Sequence, residues 1–284
     1  MSLPLELWMT VCAEFNSTHP ADKRGLARIC QVSKLFASAA RPVLYSQLQH
    51  DQVLDPRLYD TLVNSEGGSA LGALVKDVVI QMGRAARATE EESRWTRGRT
   101  QNETRHVFEL LGRCPNISEA LFVLPFTYQS VAMAADPKLR SLRKELLSLP
   151  FLASLRLLTL TGDHDATEAE DTKSLQAFGK LIAAARQLKV LNTSEIANFS
   201  LLFRPLLGLV QKTPERSKLS KLDVILDDND ERRPNDPELL RSTLPAILLQ
   251  LLELRVFNWM HRATTRRGRI MTLKTLIRLS QSRL

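Results

Sequence analysis

Residue types that could do chemistry are scattered along this chain of 284 residues. The five histidines stand at positions 19, 50, 106, 164 and 261, and no Cys or His pair has the spacing of a metal site. The sequence contains no glycine-rich phosphate loop, no nucleophile elbow and no H-E-x-x-H motif. It therefore predicts a protein that is not an enzyme and that uses no cofactor and no metal ion.

Three cysteines, Cys12, Cys30 and Cys114, are widely spaced in apolar surroundings. Such thiols are typical of buried, reduced cysteines in the cytosol or nucleus. We find no secretory signal, and the longest uncharged segment is too short and too polar to span a bilayer. We therefore expect a soluble protein of the cytoplasm, the nucleus or both, without membrane contact.

The formal net charge of +8 is concentrated at the C-terminus. Residues 261–284 hold seven of the 39 Lys and Arg residues and no acidic residue, so the rest of the chain is nearly neutral. Apolar residues from Met271 onward follow a helical spacing, which predicts a basic amphipathic cap helix within 261–284. Binding to a membrane surface or to a partner groove are alternatives. Nucleic-acid binding through this tail is a third alternative for the protein's function, ranked last because no aromatic residue follows Trp259 to stack on bases.

Three short helical patterns occupy residues 3–48. Apolar residues recur at helical spacing in each pattern, and Pro42 is predicted to end the third. The apolar positions are Trp8, Val11, Cys12 and Phe15, then Leu26, Ile29 and Cys30, then Val32, Leu35, Phe36 and Ala39. Helices this short leave apolar surface uncovered, so the segment is predicted to need a partner or a following domain.

A triplet of apolar positions spaced x, x+3, x+5 recurs downstream, with one Thr in place of an apolar residue. The triplets are Val75-Val78-Ile80, Ile117-Ala120-Phe122, Leu155-Leu158-Leu160, Leu188-Leu191-Thr193, Leu219-Leu222-Val224 and Leu251-Leu254-Val256. They start 42, 38, 33, 31 and 32 residues apart, and helical stretches separate them. The pattern predicts an irregular α/β solenoid with parallel strands on one side and helices on the other.

The helical stretches between the triplets have recognisable starts and interruptions. Asp-Pro pairs at 55, 136 and 236 are predicted to cap three of these helices. Pro205 and Pro245 fall inside helical patterns, where we expect kinked or split helices.

The opening residues resemble the F-box of fungal proteins, through Leu3-Pro4-Leu5-Glu6-Leu7-Trp8, Val32-Ser33-Lys34-Leu35-Phe36 and Pro42-Val43-Leu44-Tyr45. The triplets resemble the strands of leucine-rich repeats, and Arg113-Cys114-Pro115-Asn116-Ile117 is similar to the helix-to-strand turn of F-box proteins with such repeats. The resemblance implies an F-box-like helical module at 1–50, an irregular leucine-rich-repeat solenoid at 51–260 and the cap at 261–284.

The resemblance implies a substrate receptor of a Skp-cullin-F-box ubiquitin ligase. Such a receptor binds a Skp-type adaptor, and through it a cullin, while the repeat arc holds a client whose identity the sequence does not give. The implied adaptor-binding residues are Leu3, Pro4, Leu7, Trp8, Val11, Leu26, Val32, Ser33 and Leu35. The alternative is an interaction scaffold outside any ligase, whose F-box-like segment has drifted.

Charged loops after the repeat strands would share one rim of a solenoid. We hypothesise that this rim selects the client by charge, the alternative being a solvated edge without a partner. Its residues are Arg84, Arg87, Asp163, Asp165, Asp227, Asp228, Arg266, Arg267 and Arg269. The acidic runs lack the glycine turn and the distant glutamate of a calcium loop, so we do not expect metal binding there.

Overall fold

The structure of the protein is a computed structural model. It describes residues 4–15, 19–53, 55–81, 106–124, 146–162, 168–194, 196, 199–213, 217–227, 244–251, 253–262 and 270–272. Within these ranges, helices alternate with mostly parallel strands, which confirms the predicted α/β class.

Three helices open the chain: α1 spans Leu5–Ala13, α2 spans Pro20–Val32 and α3 spans Lys34–Leu44. Pro20 is the first residue of α2, where the missing N–H has no intrahelical partner to lose. Ser33 caps α3, since its hydroxyl accepts a hydrogen bond from the amide of Phe36 at 3.3 Å. The prediction that Pro42 ends this helix is wrong, because Val43 and Leu44 continue the helix and pack against its core.

Eight described strands form one sheet, in which they follow one another in sequence order. They are β1 Gln47–Leu48, β2 Asp77–Gln81, β3 Glu119–Leu124, β4 Leu157–Gly162, β5 Val190–Ser194, β6 Lys221–Asp227, β7 Val256–Arg262 and β8 Ile270–Thr272. The pairs β1/β2, β4/β5, β5/β6 and β6/β7 are parallel, whereas β7/β8 is antiparallel. The sequence did not predict β1, which is only two residues long.

Helices fill the connections between strands. They are α4 His50–Val53, α5 Pro56–Tyr59 with a π-helical turn Asp60–Asn64, α6 Gly68–Gly72, α7 Glu168–Ala184, α8 Phe199–Lys212 and α9 Leu244–Gln250. Further helical turns lie at 106–111 and 146–148, and a 3₁₀ turn spans Pro150–Ala153. The carboxylate of Asp55 accepts the amide of Arg57 at 2.9 Å, which confirms the first predicted Asp-Pro cap. The other two caps lie outside the described residues.

Two described helices contain the prolines at which we expected kinked or split helices. α8 runs through Pro205 without being split, and Pro245 is the second residue of α9, of which only Leu244–Gln250 is described. α7 and α8 approach closely at Gly179, where a Cβ atom would lie 2.4 Å from the carbonyl oxygen of Leu202. Only glycine leaves room for that contact.

The first five predicted triplets form the buried side of the strands, and all fifteen of their residues are at most 4% exposed. The sixth triplet is wrong by three residues. Lys221 pairs with Val256, and Leu222 pairs with Phe257, so the equivalent triplet is Leu254-Phe257-Trp259. Accordingly, Phe257 is 2% exposed while Val256 is 41% exposed.

The C-terminal segment also differs from its prediction where the structure describes it. Ile270–Thr272 is a strand paired with β7, although the sequence predicted a helix from Met271. The edge of β7 presents backbone N–H and C=O groups that a strand can pair and a helix cannot. Residues 273–284 lie outside the described residues.

The chain divides into two compact units. The first comprises residues 1–80, 101–120 and 149–151, and holds α1 to α6 with β1 and all of β2 except its last residue. The second comprises residues 81–100, 121–148 and 152–284, and holds β4 to β8 with α7 to α9. In the second unit the ring centroids of Phe122 in β3 and Phe178 in α7 lie 5.3 Å apart, so α7 packs on the face that carries the triplets.

Candidate docking surface

The core of the three N-terminal helices is small. Its fully buried residues are Cys12, Leu26, Ala39 and Ala40, two of which have only a methyl side chain. Partly buried side chains surround them: Leu5, Trp8, Phe15, Ile29, Cys30, Val43 and Leu44. Because so little apolar volume fits inside, other apolar residues of these helices remain outside.

An aromatic pair ties α1 to α3. The ring centroids of Trp8 and Phe36 lie 4.5 Å apart with an interplanar angle of 63°, an edge-to-face arrangement. Such a pair contributes about 0.5–1.5 kcal/mol beyond its buried area. Phe36 was not among the predicted site residues, although it lies in the motif that carries the family resemblance.

Apolar residues on either side of this pair face solvent. Leu7 is 50% exposed, Val11 49%, Val32 69% and Leu35 38%. Leu7 and Val11 are one turn apart on α1 and flank Trp8 in sequence, whereas Leu35 precedes Phe36 and Val32 ends α2. We call Leu7, Val11, Val32 and Leu35 the docking face.

The docking face accounts for most of the exposed large apolar side chains in the described residues. The others are Met9 at 43%, Leu249 at 80% and Val256 at 41%. Met9 lies about half a turn around α1 from Leu7, and it belongs neither to the predicted apolar stripe of this helix nor to the predicted adaptor-binding residues. Exposed apolar residues concentrated on three short helices are typical of a protein-binding surface.

The other predicted adaptor-binding residues have different surroundings. Leu26 is fully buried, so it can support the surface but cannot touch a partner. Trp8 is half-buried, Pro4 and Ser33 are exposed, and Leu3 lies outside the described residues. Binding of an adaptor by these residues stays a prediction.

Burial raises the pKa of three titratable groups in or next to the three helices. These groups are Cys12, Cys30 and Tyr45, and the nearby Arg41 partly opposes the rise in pKa at Cys30 and Tyr45. A thiol with a raised pKa is a poor nucleophile. The buried thiols between the three helices therefore contribute to packing.

The docking helices continue directly into the first strand. The amide of Tyr45 donates to the carbonyl of Arg41 at 3.0 Å, closing the last turn of α3. Ser46 follows Tyr45, and its carbonyl accepts hydrogen bonds from the amides of Lys76 at 2.8 Å and Asp77 at 3.0 Å. Lys23 of α2 also donates to the carbonyl of Gln47 at 3.4 Å. The hydrogen bonds thus join the helices to β1 and β2 without a linker.

A polar row crosses the strands of the second unit on the face opposite the triplets. Thr159, Asn192, Asp223 and Asn258 are aligned by the register of β4 to β7. The amide nitrogen of Asn192 donates to the hydroxyl of Thr159 at 3.3 Å, and that of Asn258 donates to the carboxylate of Asp223 at 2.8 Å. Lys221 forms an ion pair with the same carboxylate at 2.9 Å.

The predicted client rim falls almost entirely outside the described residues. Of its nine residues only Asp227, the last residue of β6, has a described backbone position. The described residues include no group of three or more His, Cys, Asp or Glu side chains that could hold a metal ion. No described helix combines the length and apolar character needed to cross a membrane.

No protein-family model matches the chain, and no curated protein matches it.

Proposed function

We propose that this chain is a substrate-receptor subunit of a Skp-cullin-F-box ubiquitin ligase. The observation that carries the proposal is the docking face. Four apolar residues, three of them in the F-box-like motifs, are exposed on α1, α2 and α3, around the contact between Trp8 and Phe36. A Skp-type adaptor would cover them.

Burial of the docking face would supply the affinity. Full burial of a large apolar side chain contributes about 1.5–3 kcal/mol, so covering a half-exposed one contributes about 1 kcal/mol. Leu7, Val11 and Val32 are each about half exposed or more. Together with Leu35 they could stabilise a complex by several kcal/mol, less the cost of association.

The receptor's mechanism would be proximity. The docking helices lead into β1 without a linker, so an adaptor bound to them would be held in a defined position relative to β1 and β2. A client bound to the repeats would then have its lysines at high local concentration near the transferring enzyme. This role needs no cofactor.

Co-expression with a Skp-type adaptor tests the proposal. The double variant Leu7→Asp and Val11→Asp changes only exposed positions, so it should fold and lose the adaptor in a pull-down. Leu249→Asp is the matched control, because Leu249 is also exposed but belongs to α9. It should retain the adaptor.

Two results would contradict the proposal: a folded wild-type chain that does not bind the adaptor, or a double variant that binds it as well as the wild type does. The first would favour the second candidate, an interaction scaffold outside any ligase. That candidate is supported by Phe36, which stands where the family usually has tryptophan and is half-buried against Trp8. The smaller ring offers a partner less surface.

A further inference from the structure

Charge is divided unevenly among the docking helices. The acidic residues Glu6 and Glu14 lie within or next to α1, which has no Lys or Arg. From Lys23 to Leu48 the chain has five basic residues and no acidic one. Asp22, in the first turn of α2 and 4.0 Å from His19, is the acidic residue of that helix. The docking face is therefore bordered by acidic groups on α1 and mainly by basic groups on α2 and α3.

Two of the five basic residues lie beside the docking face. Arg28 precedes Val32 by one turn of α2, and Lys34 lies between Ser33 and Leu35 at the start of α3. Both are exposed, and no ion pair in the described part of the chain uses either of them. Their charges are available to a partner.

The remaining basic residues are placed differently. Lys23 donates to the backbone of Gln47, and Arg24 lies two turns before Val32 on α2. Arg41 lies in the last turn of α3, close enough to Cys30 and Tyr45 to affect their titration. Arg41 is therefore a suitable control, with the same charge on the same helix as Lys34 but further from Leu35.

We propose that the docking face selects a protein partner whose covering surface is acidic, with carboxylates facing Arg28 and Lys34. The proposal rests on the proposed function and specifies the chemistry of the adaptor surface. Unpaired cations at the border of an apolar interface steer an oppositely charged partner and repel one of like charge. The main effect should therefore be on the association rate constant.

Association kinetics of a Skp-type adaptor with the full-length chain test this proposal. The double variant Arg28→Glu and Lys34→Glu should slow association roughly tenfold at low salt, and the difference should shrink as added salt screens the charges. Glu14→Lys should speed association, because it removes a charge that repels carboxylates. Arg41→Glu should change the rate by less than about twofold, since its charge lies further from the contact.

The outcomes separate this proposal from the proposed function. If the wild-type chain binds the adaptor but the double reversal leaves the rate unchanged or raises it, the acidic partner surface is wrong and the docking proposal stands. If the folded wild-type chain does not bind the adaptor at any salt concentration, the docking proposal fails and this one fails with it. Circular dichroism of each variant checks that it is folded.

Discussion

Burial sets the protonation state and the role of two cysteine thiols, those of Cys114 and Cys12. It raises the pKa of the Cys114 thiol to about 12, so the thiol stays protonated at neutral pH. Cys12 is also buried and belongs to the core of the docking helices. At the scale of single residues, these two thiols are therefore used for packing.

Asp77 is a partly buried carboxyl group that should make stability depend on pH. Burial, and secondarily the nearby charge of Glu119, raise its pKa above 3.8. The folded state therefore binds the proton more tightly than the unfolded state does. The charged carboxylate lowers the free energy of unfolding at neutral pH, and this penalty disappears as the pH falls through the raised pKa toward 3.8.

Asp77→Asn should accordingly stabilise the protein at pH 7, by less than about 1 kcal/mol because the group is only partly buried. The gain should vanish below the ordinary pKa of an aspartate. Urea denaturation at several pH values measures it, with the exposed Glu66→Gln as the control. A gain that persists unchanged in acid would show that the charge of Asp77 is not its cause.

At the scale of elements, close helix packing depends on single glycines. The carbonyl oxygen of Leu202 in α8 occupies the place where a side chain at Gly179 of α7 would begin. Pro205 also lies against this position, since its Cδ and Cγ atoms would both be 3.0 Å from the added Cβ. Backbone atoms cannot move aside as a flexible side chain can.

Gly179→Ala should therefore lower the free energy of unfolding by about 1–3 kcal/mol, the usual cost of overpacking. Gly208 of α8 provides the matched control, because a Cβ there would meet nothing within 4 Å. Gly208→Ala should raise stability by about 0.5–1 kcal/mol, through helix propensity alone. Thermal melting of the two variants compares them, and equal effects would contradict the close approach of α7 and α8.

At the scale of the whole molecule, one repeating arrangement of backbone hydrogen bonds sets the register of the strands, and so decides which of their residues are buried. The carbonyls of Ser46, Lys76, Lys189 and Ser220 each accept two amides from the start of the next strand. For Ser220 these are the amides of Arg255 and Val256, which places Phe257 in the buried row. These hydrogen bonds thus select the register in which Phe257 is buried.

Substitution of two neighbouring residues tests this register of β7. Phe257→Ala should lower the free energy of unfolding by about 3–5 kcal/mol, because it empties a buried site. Val256→Ala should cost less than about 1 kcal/mol, since its side chain is exposed and only strand propensity changes. Chemical denaturation measures both losses of stability. A larger loss for Val256→Ala than for Phe257→Ala would instead support the predicted triplet Leu251-Leu254-Val256.

Part of this fold could be predicted from apolar spacing alone. Triplets such as Leu155-Leu158-Leu160 were assigned correctly, because a strand with one buried face leaves a period of two in its sequence. The last triplet was not, since residues 248–254 contain five leucines and fit more than one frame. β1 was missed because a strand of two residues leaves no detectable period.

For the docking surface, the sequence determined which residues are apolar and that they lie on short helices. It could not tell whether Leu26 or Val32 would face outward, since each belongs to an apolar stripe of helical spacing. Only the tertiary structure decided that Leu26 fills the core while Leu7, Val11, Val32 and Leu35 remain exposed. The physical reason is that spacing orders residues around one helix, whereas exposure depends on which neighbouring helices cover it.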